Sequence, residues 1–405
     1  MNVMSLHRAT HRSLLQHRRL RVPPKTLSQS LKNFYNLAFL KPQEVPMIGE
    51  RIRMARLAAG LTLMGMGERL GLSHTAIQKF EKGVLTPSSD QILRLAQACQ
   101  VRSEFFFRTQ QLTLTLLPPK GPQALGRAGM ETLRRQVIAA LEPRIELRQA
   151  FPVSPVPRFE APARWPRQVT SMAEIEGLAD ALRAAWQLGQ QAIAHVTRTL
   201  EMHGMLVVML APYPPDRGGL LGTVQTPDGL QAPVMVIAEQ MPFEQQRLAM
   251  AQLLGRCLLT DRLAKGMRMD KACALFAGAW LAPAAAVREA LGTTRAVLAW
   301  HELQILQAAF GLPLPSLLER VHQCGVISSS HHQAMQRQLR ARGHRHLAPE
   351  TGMPPERPTL HAQLVHRALA EKRVSLAKAA EWLGQPMMQL QRERLLASAH
   401  GPHDQ

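Results

Sequence analysis

The chain has 405 residues, with 49 Lys and Arg against 29 Asp and Glu, a formal net charge of +20 and a pI near 11.1. That length supports two or three domains with cores of their own, and so large a cationic surplus points to a polyanionic partner, most simply nucleic acid. The composition argues against a membrane span, since no apolar run approaches the ~18 residues a bilayer demands. It also argues against a disulfide or zinc-knuckle scaffold, because Cys99, Cys257, Cys273 and Cys324 are scattered without a Cys-x-x-Cys pair. Reduced thiols in a cytoplasmic protein are expected.

Residues 1–46 carry eight basic residues and one acid, Glu44. A stretch so poor in acids, with no periodic apolar positions, reads as a disordered basic arm. The same composition fits a transit peptide or a segment upstream of the natural start.

From residue 47 to 108 the pattern becomes helical. Leu57, Leu61, Met66, Leu70, Leu72, Ile77 and Phe80 are spaced as the inner faces of two short crossed helices. Leu70–Gly71–Leu72–Ser73 supplies the turn between them, since Gly71 can take positive φ and Ser73 can cap the next helix. The spacing predicts helices over 48–59, 62–70, 73–81, 88–98 and 102–107, with Pro87–Ser88–Ser89–Asp90 opening the fourth. Arg51, Arg53 and Arg56 fall on the polar side of the first helix. Leu93, Leu95, Ala96, Ala98 and Val101 close the core, and Phe105–Phe106 cover its end.

Taken from Glu50 to Val101, this stretch resembles the lambda-repressor/Cro, or XRE, DNA-binding family along its full length. In that family the second helix of the motif lies in the major groove. The resemblance implies that His74, Thr75 and Lys79 face base edges with Gln78 beside them, and that Ser73 and Lys82 meet phosphates. Side-chain chemistry agrees: Lys79 can donate to guanine, and Thr75 offers a hydroxyl or a methyl to thymine. Phosphate contacts position without specifying. The chain departs from the family at Leu63, where a polar phosphate ligand is common, and Gly65 and Gly67 lower the helix propensity there.

Residues 109–170 read as a connector. Leu112 to Leu116 alternates as a strand does, and Met130–Leu147 runs helically with Leu133, Val137, Ile138 and Leu141 on one face. Prolines 152, 155, 157, 162 and 166 then mark a loop.

Residues 171–300 read as α+β. Helices are expected at Met172–Trp186 and Ile193–His203, and strands at Met205–Leu210 and Val234–Ile237, with a Gly-rich turn leading through Leu220–Val224. Pro242 then opens a long helix. This layout resembles the ImmA/IrrE-like zinc metallopeptidase domain, whose long helix carries HExxH: two His one turn apart on zinc, with a Glu as general base. Here Gln252, Leu253 and Arg256 stand at those positions. Gln is a poor zinc ligand, Arg repels the metal and Leu cannot take a proton, so the resemblance implies a catalytically dead domain. The pattern following the motif is kept in Ala272, Phe276 and Ala277.

Residues 301–405 read as helical. His331–His332 and His344–Arg345–His346 have no acid or thiol at ligand spacing along the chain, so no metal is expected and a basic exposed face is. Val374–Ser375–Leu376, Ala380 and Leu383–Gly384 resemble a second, smaller helix-turn-helix, read as packing or dimerisation, with a DNA contact as the alternative.

The expected fold is therefore mainly α: a five-helix lambda-repressor-like domain (47–108), an α+β ImmA/IrrE-like domain lacking HExxH (171–300), and a helical C-terminal region (301–405). The expected function is a sequence-specific transcriptional regulator, binding double-stranded DNA as a homodimer, without cofactor, metal or membrane. Its pseudo-peptidase body would sense a small-molecule effector, hold a protein partner or pair the readers. An antitoxin-like regulator of its own operon is the first alternative. A working metallopeptidase is disfavoured.

Overall fold

A computed structural model describes residues 45–107, 112–117, 126–211, 213, 218–341 and 352–399. The expectations for residues 1–44 of the basic arm (1–46) and for His344–His346 lie outside these. The described chain is mainly helical, with one small mixed sheet.

The first unit holds α1 (Val45–Ala58), α2 (Leu63–Leu70), α3 (His74–Glu81), α4 (Ser89–Ala98) and a 3-10 turn at Ser103–Phe107. Its core gathers Ile48, Ile52, Ala55, Met66, Leu70, Ile77, Phe80, Ile92, Leu95 and the pair Phe105–Phe106. Two expectations change here. Leu93 is 52% exposed, and Ile92 takes its place inside. Arg51 and Arg56 are buried, not on the polar side of α1 with Arg53. Each has an acid brought from elsewhere in the chain, which sequence spacing cannot reveal: Arg51 pairs with Glu142 and Arg56 with Glu81.

The second unit is built on four strands in the order β1-β3-β4-β2. β4 (Gln231–Ala238) pairs parallel with β2 (Leu206–Leu210) and antiparallel with β3 (Leu220–Gln225), and β3 pairs antiparallel with β1 (Thr113–Leu116). The Gly-rich passage through Leu220–Val224 is thus a strand, and Gly222 lets it approach β1: a Cβ there would lie 2.6 Å from the Thr115 carbonyl. Val234 to Ala238 are all buried, as befits a central strand covered on both faces.

The stretch read as a connector is built into this unit. β1 supplies an edge strand, and α5 (Arg127–Gln149) contributes Leu133, Val137, Leu141 and Ile145 to the core. Around the sheet pack α6 (Met172–Ala185), α7 (Val196–Met202), α8 (Phe243–Leu259), α9 (Met269–Leu281), α10 (Ala284–Leu291), α11 (Trp300–Phe310), α12 (Leu314–Gln323) and α13 (Ser329–Ala341). No single described helix is long and apolar enough to cross a membrane. No disulfide joins the four cysteines, and burial pushes the Cys99 and Cys257 thiols up to about 11.

The last helices, α14 (Leu360–Ala370), α15 (Leu376–Leu383) and α16 (Met387–Ala399), form a third cluster on the C-terminal end of α5, around Leu147, Phe151, Val365, Ala379 and Trp382. Ser375 caps α15 and Gly384 ends it with φ 68°. Glu146 of α5 holds α15 through Lys378 at 2.7 Å and Trp382 at 2.9 Å.

Candidate nucleic-acid interface

The turn between α2 and α3 is assembled from its own sequence. Thr62 caps α2 by accepting from the Gly65 amide at 3.0 Å. Gly71 ends it at φ 67°, where a β-carbon would be strained. Ser73 caps α3 by accepting from the Ala76 amide at 3.1 Å, leaving the remaining first-turn amides of α3 pointing outward. Such a helix start favours an anion such as a phosphate.

Only every third or fourth residue of α3 faces the core. Ile77 and Phe80 are buried, whereas Ser73, His74, Thr75, Gln78, Lys79 and Lys82 are all exposed. The six residues named from sequence are therefore brought together on one surface, and no described part of the chain covers it. Thr75 Oγ1 lies 3.5 Å from Nε2 of His74.

What aims this surface is a set of contacts that the sequence did not disclose. Arg56 reaches from α1 to the end of α3 and meets Glu81 with two donors, at 2.5 and 3.0 Å, while its third nitrogen donates to the Leu61 carbonyl at 2.8 Å. Both side chains of the pair are under one-tenth exposed, so the fork fixes α3 against α1 with little competition from water. Arg94 on α4 donates to the Leu70 carbonyl at 2.6 Å, and Arg69 on α2 donates to the Ala98 carbonyl at 3.2 Å, each satisfying the other helix's last turn. Gly49 permits the crossing of α1 over α3, since a Cβ there would lie 2.6 Å from the Phe80 and Glu81 carbonyls. Gly67 plays the same part at the α2–α3 turn, 2.6 Å from the Leu72 carbonyl. The low helix propensity noted there is thus the cost of a close approach.

The first unit is anchored to the rest of the chain through α1. Arg51 meets Glu142 of α5, Arg135 of α5 meets Glu50 at 3.2 Å, and Gln136 donates to the Ala58 carbonyl at 2.9 Å. Arg102 donates to the Gln385 carbonyl, tying the first unit to the turn before α16.

On α8, one of the three positions compared with a catalytic motif is buried in the core. Leu253 is buried beside Gly219 at the start of β3, where a Cβ would lie 2.6 Å from the leucine methyl. Gly255 lies under Phe276 of α9, and Gln252 and Arg256 are part-exposed. One turn earlier, Arg247 and Gln246 clasp Glu356: Arg247 meets its carboxylate at 2.7 Å, and Gln246 exchanges two bonds with its backbone at 2.8 and 3.0 Å. The same carboxylate accepts from the Val196 and Thr197 amides, capping α7.

The arrangement of α2, turn and α3 is a helix-turn-helix. Residues 48–104 match a family model described as "Helix-turn-helix domain". The chain is also similar to an "Uncharacterized HTH-type transcriptional regulator" of Sinorhizobium medicae (strain WSM419) and to one of Rhizobium meliloti (strain 1021). Each is 34% identical over 68 residues, covering 16% of this chain and 49% of the relative. The chain thus spans about half the length of the curated relatives it matches. No solved structure gives a significant match.

Proposed function

We propose that the protein is a sequence-specific DNA-binding transcriptional regulator. The observation that carries this reading is the exposure of Ser73, His74, Thr75, Gln78, Lys79 and Lys82 together on a capped helix, inside a matched helix-turn-helix domain. In this reading His74, Thr75, Gln78 and Lys79 meet base edges in the major groove, and Ser73 and Lys82 hold phosphates. The net charge of +20 supplies the long-range attraction. A single recognition helix reads one half-site, so a homodimer on a two-fold site follows.

The body of residues 171–300 serves in this proposal as a non-catalytic, ImmA/IrrE-like domain that senses or pairs. Support comes from the side chains at the motif positions: a buried Leu253 between Gln252 and Arg256 offers neither zinc ligands nor a general base. Peptidase activity that requires Leu253 or Gln252 would overturn that part.

The test is selection of bound fragments from genomic DNA with the full chain. A short two-fold motif, lost when Lys79 and Gln78 are both changed to Ala, is the expected result. Retention of nothing above random DNA would overturn the regulator reading.

A further inference from the structure

Away from the reader, α12 and α13 bring three metal-ligating side chains together. Glu319 and His322 stand three residues apart on α12, on one face of the helix. His332 comes from the start of α13. One ligand atom from each of the three lies within 4.8 Å of the others, the one such group among the described residues. The imidazoles of His322 and His332 stack with centroids 4.4 Å apart, and Nε2 of His332 lies 3.2 Å from a Glu319 carboxylate oxygen.

The surroundings hold these groups in place. Gln323 donates to the other Glu319 oxygen at 3.1 Å, leaving the first turned toward His332. Ser329 Oγ sits 3.1 Å from Nε2 of His322, and the Gln336 amide 3.1 Å from Nε2 of His332. Val326 and Ile327, buried in the core, pin the turn joining the two helices. His332 is buried, while the Glu319 side chain is 46% exposed, so the cluster opens to solvent on the carboxylate side.

We propose that Glu319, His322 and His332 form a binding site for a first-row divalent metal ion, with zinc the best match. Two imidazoles and one carboxylate are a zinc-type donor set, and three protein ligands leave a fourth position for water. Ligands of a tetrahedral zinc at ~2.0–2.1 Å stand about 3.4 Å apart. The widest pair must therefore close by at most about 1.4 Å, which side-chain rotation supplies. Partners such as Gln323 are what a ligating carboxylate ordinarily has. A bound ion would clamp α12 to α13. None of the three ligands lies on α8, so the site owes nothing to the motif positions there, and it is independent of the DNA reading.

The test uses the full chain, stripped with a chelator and titrated with Zn2+ against a chromogenic competitor, then with Co2+ followed by visible absorption. The expected result is one tight equivalent of zinc and the intense visible bands of tetrahedral Co2+. Both should disappear in the double variant His322→Ala, His332→Ala, with affinity reduced at least about 100-fold. Glu319→Gln, on the exposed side of the cluster, should fold normally and bind roughly 10-fold more weakly or worse. A His344→Ala, His346→Ala double variant should bind as tightly as the wild type. Zinc should raise the melting temperature of the wild type and not that of the ligand variants. The proposal is overturned by no stoichiometric uptake, by wild-type affinity in Glu319→Gln or in the His322/His332 variant, or by loss of binding in the His344/His346 variant.

Discussion

Gly67→Ala separates helix propensity from close packing in the helix-turn-helix domain. In an open helix interior this change gains about 1 kcal/mol. Here the added Cβ would lie 2.6 Å from the Leu72 carbonyl oxygen and 3.3 Å from the His74 nitrogen. The obstructing atom is backbone and cannot swing aside, because the Leu72 amide itself donates to the Gly67 carbonyl at 2.9 Å. Restoring an ordinary contact needs a shift of nearly an ångström, and overpacking of this kind costs about 1–3 kcal/mol. With a rigid neighbour the upper end applies, so the net effect is a loss of about 2 kcal/mol. The shift falls on residues 72–74, which set the start of α3 and its Ser73 cap, so DNA affinity should fall with stability. Gly65→Ala is the control: its Cβ meets only Thr62 Oγ1, at 3.3 Å, and a gain of up to about 1 kcal/mol is expected. Hydrogen exchange of the α1–α4 amides in the full chain reads stability, and fluorescence anisotropy on a selected site reads affinity. Gly67→Ala protection equal to or above wild type would refute the close-approach argument.

Glu81→Gln leaves the Arg56 guanidinium buried without its counter-charge, and should cost about 3–5 kcal/mol; unchanged amide protection in α1 and α3 would contradict the pair's role. Lys79→Ala should cost about 1–3 kcal/mol on the preferred site and blur one base position, whereas equal weakening on every sequence would move Lys79 to the phosphate class. Lys82→Ala should weaken all sequences alike and reduce the salt slope by ~0.9, measured from affinity against salt. His361 predicts a pH response. Burial pulls its imidazole down to about 4 from 6.5, with Nε2 donating to the Trp382 carbonyl at 3.0 Å. The unfolded chain takes up that proton near 6.5 and the folded chain only near 4. The stability is therefore complete above 6.5 and drains away as pH falls toward 4, by at most about 3 kcal/mol. Burial holds the nearby Glu201 carboxyl above its usual range, which acts in the opposite sense as pH falls. The measurable quantity is thus the difference between wild-type and His361→Asn melts at pH 4.5 and 7, and no difference would refute the assignment.

Local chemistry carried much of this architecture in the sequence. Thr62, Gly71, Ser73 and Ser88 cap or end helices through bonds spanning three or four residues, and the apolar spacing of Met66, Leu70, Ile77 and Phe80 marks one buried face. The exposed face, from Ser73 to Lys82, follows from the same periodicity. The helix–strand pattern of residues 171–300 was legible for the same reason, because each element declares its own period.

Tertiary structure decided everything that depends on which distant residues meet. Arg51 and Arg56 look like surface charges until folding supplies Glu142 and Glu81 as partners. β1 and α5 read as parts of a connector because their own periodicity does not say which sheet and core receive them. His332 seemed to lack an acid at ligand spacing, since Glu319 lies on the preceding helix and reaches it across a turn. Periodicity reports a residue's neighbours on its own element, whereas ion pairs, close glycine contacts and ligand clusters are made between elements. Those the fold alone creates.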